Sequence, residues 1–115
     1  MRFYRAERIN HLIREHISRL IARELEIPGA LVTVTEVQTT KKLDHAVIFI
    51  SVIPSEKAPE ALRMLSREAP RLQHILLKKL NIKPLPRIVF SIDKGLENAA
   101  KIEKILIEED IESSE

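Results

Sequence analysis

The chain has no cysteine and no tryptophan, and its 115 residues include only two glycines, one tyrosine and three phenylalanines. Without cysteine there can be no disulfide, zinc ribbon, iron–sulfur cluster or thiol nucleophile. Gly29 and Gly95 lie far apart, which excludes a Walker loop, a dinucleotide-binding fingerprint and a GxxG loop. The shortage of aromatic residues argues against recognition of nucleic acid bases by stacking. These absences remove much enzyme chemistry from consideration.

The chain also lacks a long apolar run. No segment approaches the roughly 18 to 20 residues of a membrane helix, and no secretory apolar stretch follows Met1. A hydrophobic share of 44% with 31% charged residues is typical of a globular protein of one domain. Cysteine-free composition is compatible with a reducing compartment. We therefore expect a cytoplasmic protein without a membrane partner.

The net charge of +2 hides an uneven distribution of charge. Residues 57–87 hold eight Lys and Arg against two Glu, a net charge of +6. Residues 96–115 hold two Lys against seven acids, a net charge of −5. A basic body with an acidic tail points to a polyanionic partner.

Two helices and three strands are predicted for most of the chain. An apolar stripe with helical spacing runs from Ile9 to Leu25, and Pro28 and Gly29 end that helix. The segments 31–37 and 43–53 are rich in Val, Ile and Thr and predict a hairpin, and 87–92 predicts a third strand. A last helix is expected over about 96–107. In the second strand the predicted core residues are Ala46, Ile48, Ile50 and Val52, with Phe49 partly exposed on the other face.

The second predicted helix, from about Pro59 to Leu80, has a proline in its middle. Pro70 removes one backbone hydrogen bond and its ring clashes with the preceding turn, so we predict that the helix kinks or splits there. The small Ala69 would let another backbone approach the bend. A split would expose backbone N–H groups suited to a phosphate. The apolar stripe of this helix comprises Leu62, Leu65, Ala69, Leu72, Leu76 and Leu80.

A basic stripe lies opposite that apolar stripe. At about 100° per residue its members fall within roughly 80° of one another. Only Glu60 lies on the same side, so the cations repel one another unless they meet an anion. Nucleic acid phosphates would supply the anions, and a solvated surface is the alternative. The stripe consists of Arg63, Arg67, Arg71, His74 and Lys78.

Candidates for catalysis are weak. His11 and His16 are five residues apart, about 140° round a helix, and match no zinc-protease spacing. Asp44 and His45 are neighbours on a strand or turn, so their side chains are expected to diverge. A hydrolase or nuclease would need carboxylates grouped on one face, whereas the acids concentrate in the tail. We predict no enzyme activity, no catalytic residue, no metal site and no cofactor.

Several stretches, in their order along the chain, resemble bacterial ribosome-binding factor A over about residues 2–107. The resemblance implies a type II KH-like fold, α-β-β-α-α-β in chain order, with an interhelical kink in place of the GxxG loop. The kink positions of that family match Ala69-Pro70-Arg71 here, where Pro70 and Arg71 depart from the usual Ala-x-Gly. The stretches that carry the resemblance are 32–37, 43–46, 83–90 and 93–102.

We therefore expect an α+β chain with a single KH-like RNA-binding domain over residues 1–107, in which a three-stranded sheet packs on helices and a short helix follows. Residues 108–115 are expected to form an acidic, disordered tail. The kink is assigned to Ala69 and Pro70. The predicted RNA-binding residues are Arg63, Arg67, Arg71, His74, Lys78, Lys79, Lys83, Arg87, Lys41, Lys42, Arg5 and Arg8.

The function implied is that of a ribosome biogenesis factor. It would bind the free small (30S) ribosomal subunit and its 16S rRNA through the kinked basic helix, and promote late maturation and rRNA end processing. We expect a monomer that takes no small-molecule substrate. The alternative is a protein-interaction module that binds an acidic protein through the same helix, which the salt dependence of binding distinguishes.

Overall fold

The computed structural model describes the backbone of residues 2–40, 42–95 and 98, and the side chains of 5–40, 42–95 and 98. The predicted C-terminal helix (apart from Asn98), the acidic tail and Lys41 lie outside these residues. The described elements follow the predicted α+β order. They are α1 (Arg2–Glu24), β1 (Leu31–Thr39), β2 (His45–Ile53), a 3₁₀ turn (Ser55–Lys57), α2 (Ala58–Leu80) and β3 (Arg87–Ile92).

The two helices bury the apolar stripes that the sequence predicts. On α1 the buried side chains are Ile9, Ile13, Ile17, Leu20 and Ile21, and on α2 they are Ala61, Leu65, Leu72 and Leu76. α2 ends where Asn81 adopts the left-handed conformation, with φ of 52°, and its N–H donates to the carbonyl of Leu77. Asparagine is the residue that most often replaces glycine in this left-handed cap.

Pro70 does not split α2, which runs without interruption from Ala58 to Leu80. The proline lies on the exposed face, where water can satisfy the Ser66 carbonyl that loses its helical donor. Buried Leu65 and Leu72 hold the helix against the core on both sides of it. Because the residues after Pro70 stay within the helix, the predicted row of free N–H groups for a phosphate does not form.

A mixed three-stranded sheet, in the order β1-β2-β3, forms the other layer. β1 and β2 are antiparallel, from Leu31 opposite Ile53 to Thr39 opposite Ala46. A register shift between Val34 and Glu36 bulges β1. β2 and β3 are parallel, and a parallel pair needs a crossover connection, which α2 supplies.

The helix-facing side of β2 is the predicted one, with Ala46, Ile48, Ile50 and Val52 buried in the core shared with the helices. The predicted partial exposure of Phe49 is wrong, because that side chain is 0% exposed, as is Val47 beside it on the opposite face. β2 is the central strand, and both of its faces are closed to water. A strand that is buried on both faces has a continuous apolar sequence. The segment 46–50 is such a sequence.

None of the described helices is both long enough and apolar enough to cross a membrane.

Candidate nucleic-acid interface

The outer face of α2 carries an exposed row of cationic side chains. Arg63, Arg67, Arg71, His74 and Lys78 are all exposed, as the sequence predicts. Their spacing of three or four residues places them on one side of the helix, opposite the buried leucines. Lys79, the next residue, is exposed as well. We call Arg63, Arg67, Arg71, His74, Lys78 and Lys79 the basic face.

Arg71 differs from the rest of the basic face because two carboxylates hold it. Its Nη1 donates to Glu24 Oε1 at 2.9 Å, and its Nε donates to Glu68 Oε2 at 3.1 Å. The hydrogen bonds to Glu68 and Glu24 raise the pKa of the guanidinium above its ordinary value. The sequence-based statement that only Glu60 accompanies these cations is therefore wrong. The contact with Glu24 also ties the end of α1 to the middle of α2.

Arg63, Arg67, Lys78 and Lys79 form no ion pair with any residue that the structure describes. The carboxylate of Glu60, the acid predicted to share their side, lies 3.7 Å from Lys57 Nζ. The cations on either side of Arg71 thus present their charge to solvent. This arrangement suits a partner whose negative charges are spaced along a line.

A second group of cations gathers where the β1–β2 hairpin meets the start of β3. His45 lies opposite Arg87 in the parallel register, and the Arg87 N–H donates to the Asp44 carbonyl at 2.9 Å. The hairpin turn with exposed Lys42 therefore lies beside exposed Arg87. Exposed Lys83, in the connection from α2 to β3, leads to the same end of the sheet. Of this predicted contact loop, Lys41 lies outside the described residues.

Gln73 fixes the basic face relative to β3, and sequence reasoning missed it. Its Nε2 donates to the Pro86 carbonyl at 2.9 Å, and its Oε1 accepts from the Ile88 N–H at 2.8 Å. A single glutamine within a helix carries no signal in a sequence, because its partners follow thirteen and fifteen residues later.

Arg5 and Arg8 are exposed but do not join the basic face at Arg71. Glu24, which contacts Arg71, ends α1, whereas Arg5 and Arg8 lie in its first turns. At 1.5 Å per residue these positions lie about 24 to 28 Å apart along the helix axis. Arg5 and Arg8 are therefore remote from the point at which α1 contacts the basic face.

The predicted divergence of the Asp44 and His45 side chains is wrong. Asp44 still belongs to the turn, where Leu43 has φ of 59°, so the alternation of a strand does not apply to it. His45 Nδ1 lies 3.4 Å from Asp44 Oδ1, which also accepts a hydrogen bond from the Thr40 hydroxyl. The bond from Thr40, with a smaller contribution from His45, lowers the pKa of Asp44. The cluster closes the hairpin turn.

The stretch that follows β3 also builds a turn. Asp93 Oδ1 accepts from the Gly95 N–H at 2.8 Å and from Asn98 Nδ2 at 2.9 Å. The bond from Gly95, with those from Thr35 and Asn98, lowers the pKa of Asp93. Gly95 has φ of 65°, a conformation that favours glycine. Within the described ranges, no three His, Asp or Glu side chains converge as a metal site.

The sequence matches a known family. The model of the family described as ribosome-binding factor A matches residues 5–106. Ribosome-binding factor A of Caldanaerobacter subterraneus subsp. tengcongensis is 31% identical over 108 residues, which are 91% of this chain and 88% of that protein.

Two solved structures are similar to the chain. The crystal structure of ribosome-binding factor A from Thermus thermophilus has a TM-score of 0.59 at 26% identity, over 80% of this chain and 94% of that one. A homology model of the Thermus thermophilus factor, fitted into a cryo-EM map of a 30S–RbfA complex, has a TM-score of 0.56 at 30% identity. That likeness covers 70% of this chain and 90% of the other. These structures confirm the predicted KH-like fold.

Proposed function

The chain belongs to the ribosome-binding factor A family, and from that premise we propose that it binds the small ribosomal subunit through the basic face of α2. The partner is the 16S rRNA of that subunit. The complex of the Thermus thermophilus relative with a 30S subunit supports this choice of partner.

One observation carries the assignment to the basic face. Arg63, Arg67 and Lys78 point to solvent on one side of α2 without an acidic partner among the described residues. Phosphates of an RNA backbone neutralise such a row and release counterions. Recognition therefore runs through phosphates and RNA shape, because the structure presents no exposed aromatic side chain among its described residues.

The biological role follows from the family. The protein promotes late maturation of the small subunit and processing of its rRNA ends, without catalysing a reaction itself. It acts as a cytoplasmic monomer, with residues 1–107 as the RNA-binding domain and 108–115 as an acidic extension. Lys42, Lys83 and Arg87 extend the contact from the basic face to the end of the sheet. Arg71 contributes as the tie between α1 and α2 rather than as a phosphate contact.

The test is co-sedimentation with purified free small subunits. Arg63→Glu with Arg67→Glu reverses two charges that have no described ion pair, so the variant is expected to fold normally and to lose co-sedimentation. The matched control is Arg14→Glu with Lys94→Glu, which makes the same change of charge at two exposed positions away from α2 that likewise have no described ion pair. Unchanged co-sedimentation of the α2 variant removes the basic face from the interface. Equal loss in both variants shows that net charge, not location, governs binding.

A salt series, run on rRNA and on an acidic protein side by side, identifies the partner. Phosphate contacts predict that the logarithm of the affinity falls linearly with the logarithm of salt concentration. Because salt also screens ion pairs with an acidic protein, the series is run on both ligands. Binding to an isolated acidic ribosomal protein, with none to protein-free 16S rRNA, would reject the rRNA contact in favour of a protein interface.

A further inference from the structure

Two large apolar side chains are exposed next to each other at one end of the sheet. Leu31 is 63% exposed and Ile53 is 64% exposed, and no other large apolar side chain among the described residues is exposed. The two residues are partners in the antiparallel register of β1 and β2, so their side chains are neighbours. Adjacent exposed apolar side chains with polar groups around them indicate an interaction site.

Both side chains lie on the face of the sheet that is turned away from the helices. Val32 and Val52, their neighbours in the chain, pack against the core that the sheet shares with the helices, and successive residues of a strand point to opposite faces. The basic face lies on the outer side of α2, which covers the other face of the sheet. A partner can therefore occupy Leu31 and Ile53 while the basic face is bound.

The two loops at this end of the sheet each contribute an acid. Glu26 lies in the connection from α1 to β1, and Glu56 lies in the 3₁₀ turn after β2. A Cβ atom added to Gly29 would lie 3.7 Å from Lys57 Cε, so the two loops are close together. Both acids are exposed and form no ion pair with any described residue. The apolar–acidic patch is defined as Glu26, Leu31, Ile53, Pro54 and Glu56.

The cations nearest to the patch along the chain have carboxylates of their own. Arg23 Nε lies 3.6 Å from Glu24 Oε2, and Lys57 Nζ lies 3.7 Å from Glu60 Oε2. The Asp–Lys pair at 93–94, which follows β3 at this end of the sheet, has no net charge. The apolar–acidic patch therefore keeps its negative charge.

That negative charge selects the kind of partner. The carboxylates repel the phosphates of RNA, and the patch has no aromatic side chain on which a base could stack. A second copy that paired through the same patch would set like charges against each other. The C-terminal residues 96–115 carry a net charge of −5 and are repelled in the same way. We propose that the patch docks a basic segment of a protein partner, whose apolar side chains cover the Leu31–Ile53 pair and whose Lys or Arg side chains meet the two carboxylates.

The test uses the full chain with ¹³C-labelled methyl groups and a synthetic peptide of alternating lysine and leucine. The methyl signals of Leu31 and Ile53 are expected to shift until the site is saturated, whereas those of buried Ile13 and Leu72 stay in place. A peptide of alternating lysine and serine tests the apolar contact, and one of alternating glutamate and leucine tests the charge. Both are expected to bind about tenfold more weakly or worse.

Three variants examine the same contacts from the side of the protein. Ile53→Thr keeps the β-branched shape and is expected to weaken binding of the lysine–leucine peptide by about tenfold. Glu26→Lys is expected to weaken it by about threefold or more. The matched control is Glu7→Lys, the same change at an exposed position near the start of α1, which leaves binding unchanged.

Four results would overturn the inference. The lysine–leucine peptide leaves Leu31 and Ile53 unaffected, or the glutamate–leucine peptide binds equally well. Single-stranded RNA shifts these methyl signals and the peptide does not, or dilution of the protein alone shifts them, which identifies a second copy as the occupant. Because no subunit is present in these experiments, each of these results leaves the phosphate contacts proposed above intact.

Discussion

The contrast between Arg67 and Arg71 gives the sharpest prediction about the basic face. Both residues are exposed on the same side of α2, but only Arg71 is held by carboxylates, at 2.9 Å and 3.1 Å. Five cations of α2 and the following connection have no described acidic partner, namely Arg63, Arg67, Lys78, Lys79 and Lys83. If each meets one phosphate, these five contacts contribute about −3.5 to −4.5 to the slope of log affinity against log salt, to which contacts of Lys42 and Arg87 add.

Arg67→Gln is expected to reduce the magnitude of that slope by about 0.7 to 0.9, since one phosphate contact is lost. Arg71→Gln is expected to leave the slope nearly unchanged and to lower the midpoint of unfolding slightly, because it removes the tie between Glu24 and α2. The assay is titration of fluorescently labelled protein with purified small subunits across a potassium chloride series. Equal reductions for both variants would refute the reasoning, because Arg71 would then have left its carboxylates to bind phosphate.

Three further predictions concern stability. Leu72→Ala, at a fully buried position of α2, is expected to lower the free energy of unfolding by about 2 to 5 kcal/mol in urea denaturation, and no loss would show that the site is not packed. Gln73→Ala leaves the Pro86 carbonyl and the Ile88 N–H without the side-chain partner of each. It is expected to lower the free energy of unfolding by about 1 to 3 kcal/mol in the same assay. The pKa of Asp44 is lowered in the folded state, so its contribution is present above its ordinary value of 3.8 and is lost as pH falls below it. Asp44→Asn should therefore flatten the acid limb of a stability–pH profile, and an unaltered limb would contradict that assignment.

The spacing of apolar residues predicts the helices and strands, because the period of a helix or strand is set by residues that are close in sequence. The stripe from Ile9 to Ile21 and the alternation of Ala46, Ile48 and Ile50 identify the buried faces correctly. The partial exposure that alternation predicts for Phe49 is wrong, because alternation does not distinguish a solvated face from a second buried face. That distinction depends on what covers the sheet, which is a property of the whole chain.

The sequence predicts which residues form the exposed basic face, but it does not predict which other residues they contact. Helical spacing was enough to place Arg63 and Arg67 on one exposed side. Spacing could not show that Arg71 meets Glu24, a residue 47 positions earlier, because only the packing of α1 on α2 brings them together. The two hydrogen bonds of Gln73 could not be predicted from the sequence for the same reason, since only the packing of α2 on β3 brings the partners together.

The parallel pairing of β2 with β3 has a consequence for the order of events during synthesis. His45 cannot meet Arg87 until the whole of α2 has been made, and Gln73 finds its partners only when Pro86 and Ile88 follow. Closing so long a loop is the slow, entropically costly part of folding such a topology. A nascent chain that stops before β3 therefore lacks the two Gln73 bonds that join α2 to the end of the sheet. Under the proposed function, the basic face and the cations at the end of the sheet therefore reach their final relative placement only after β3 has been made.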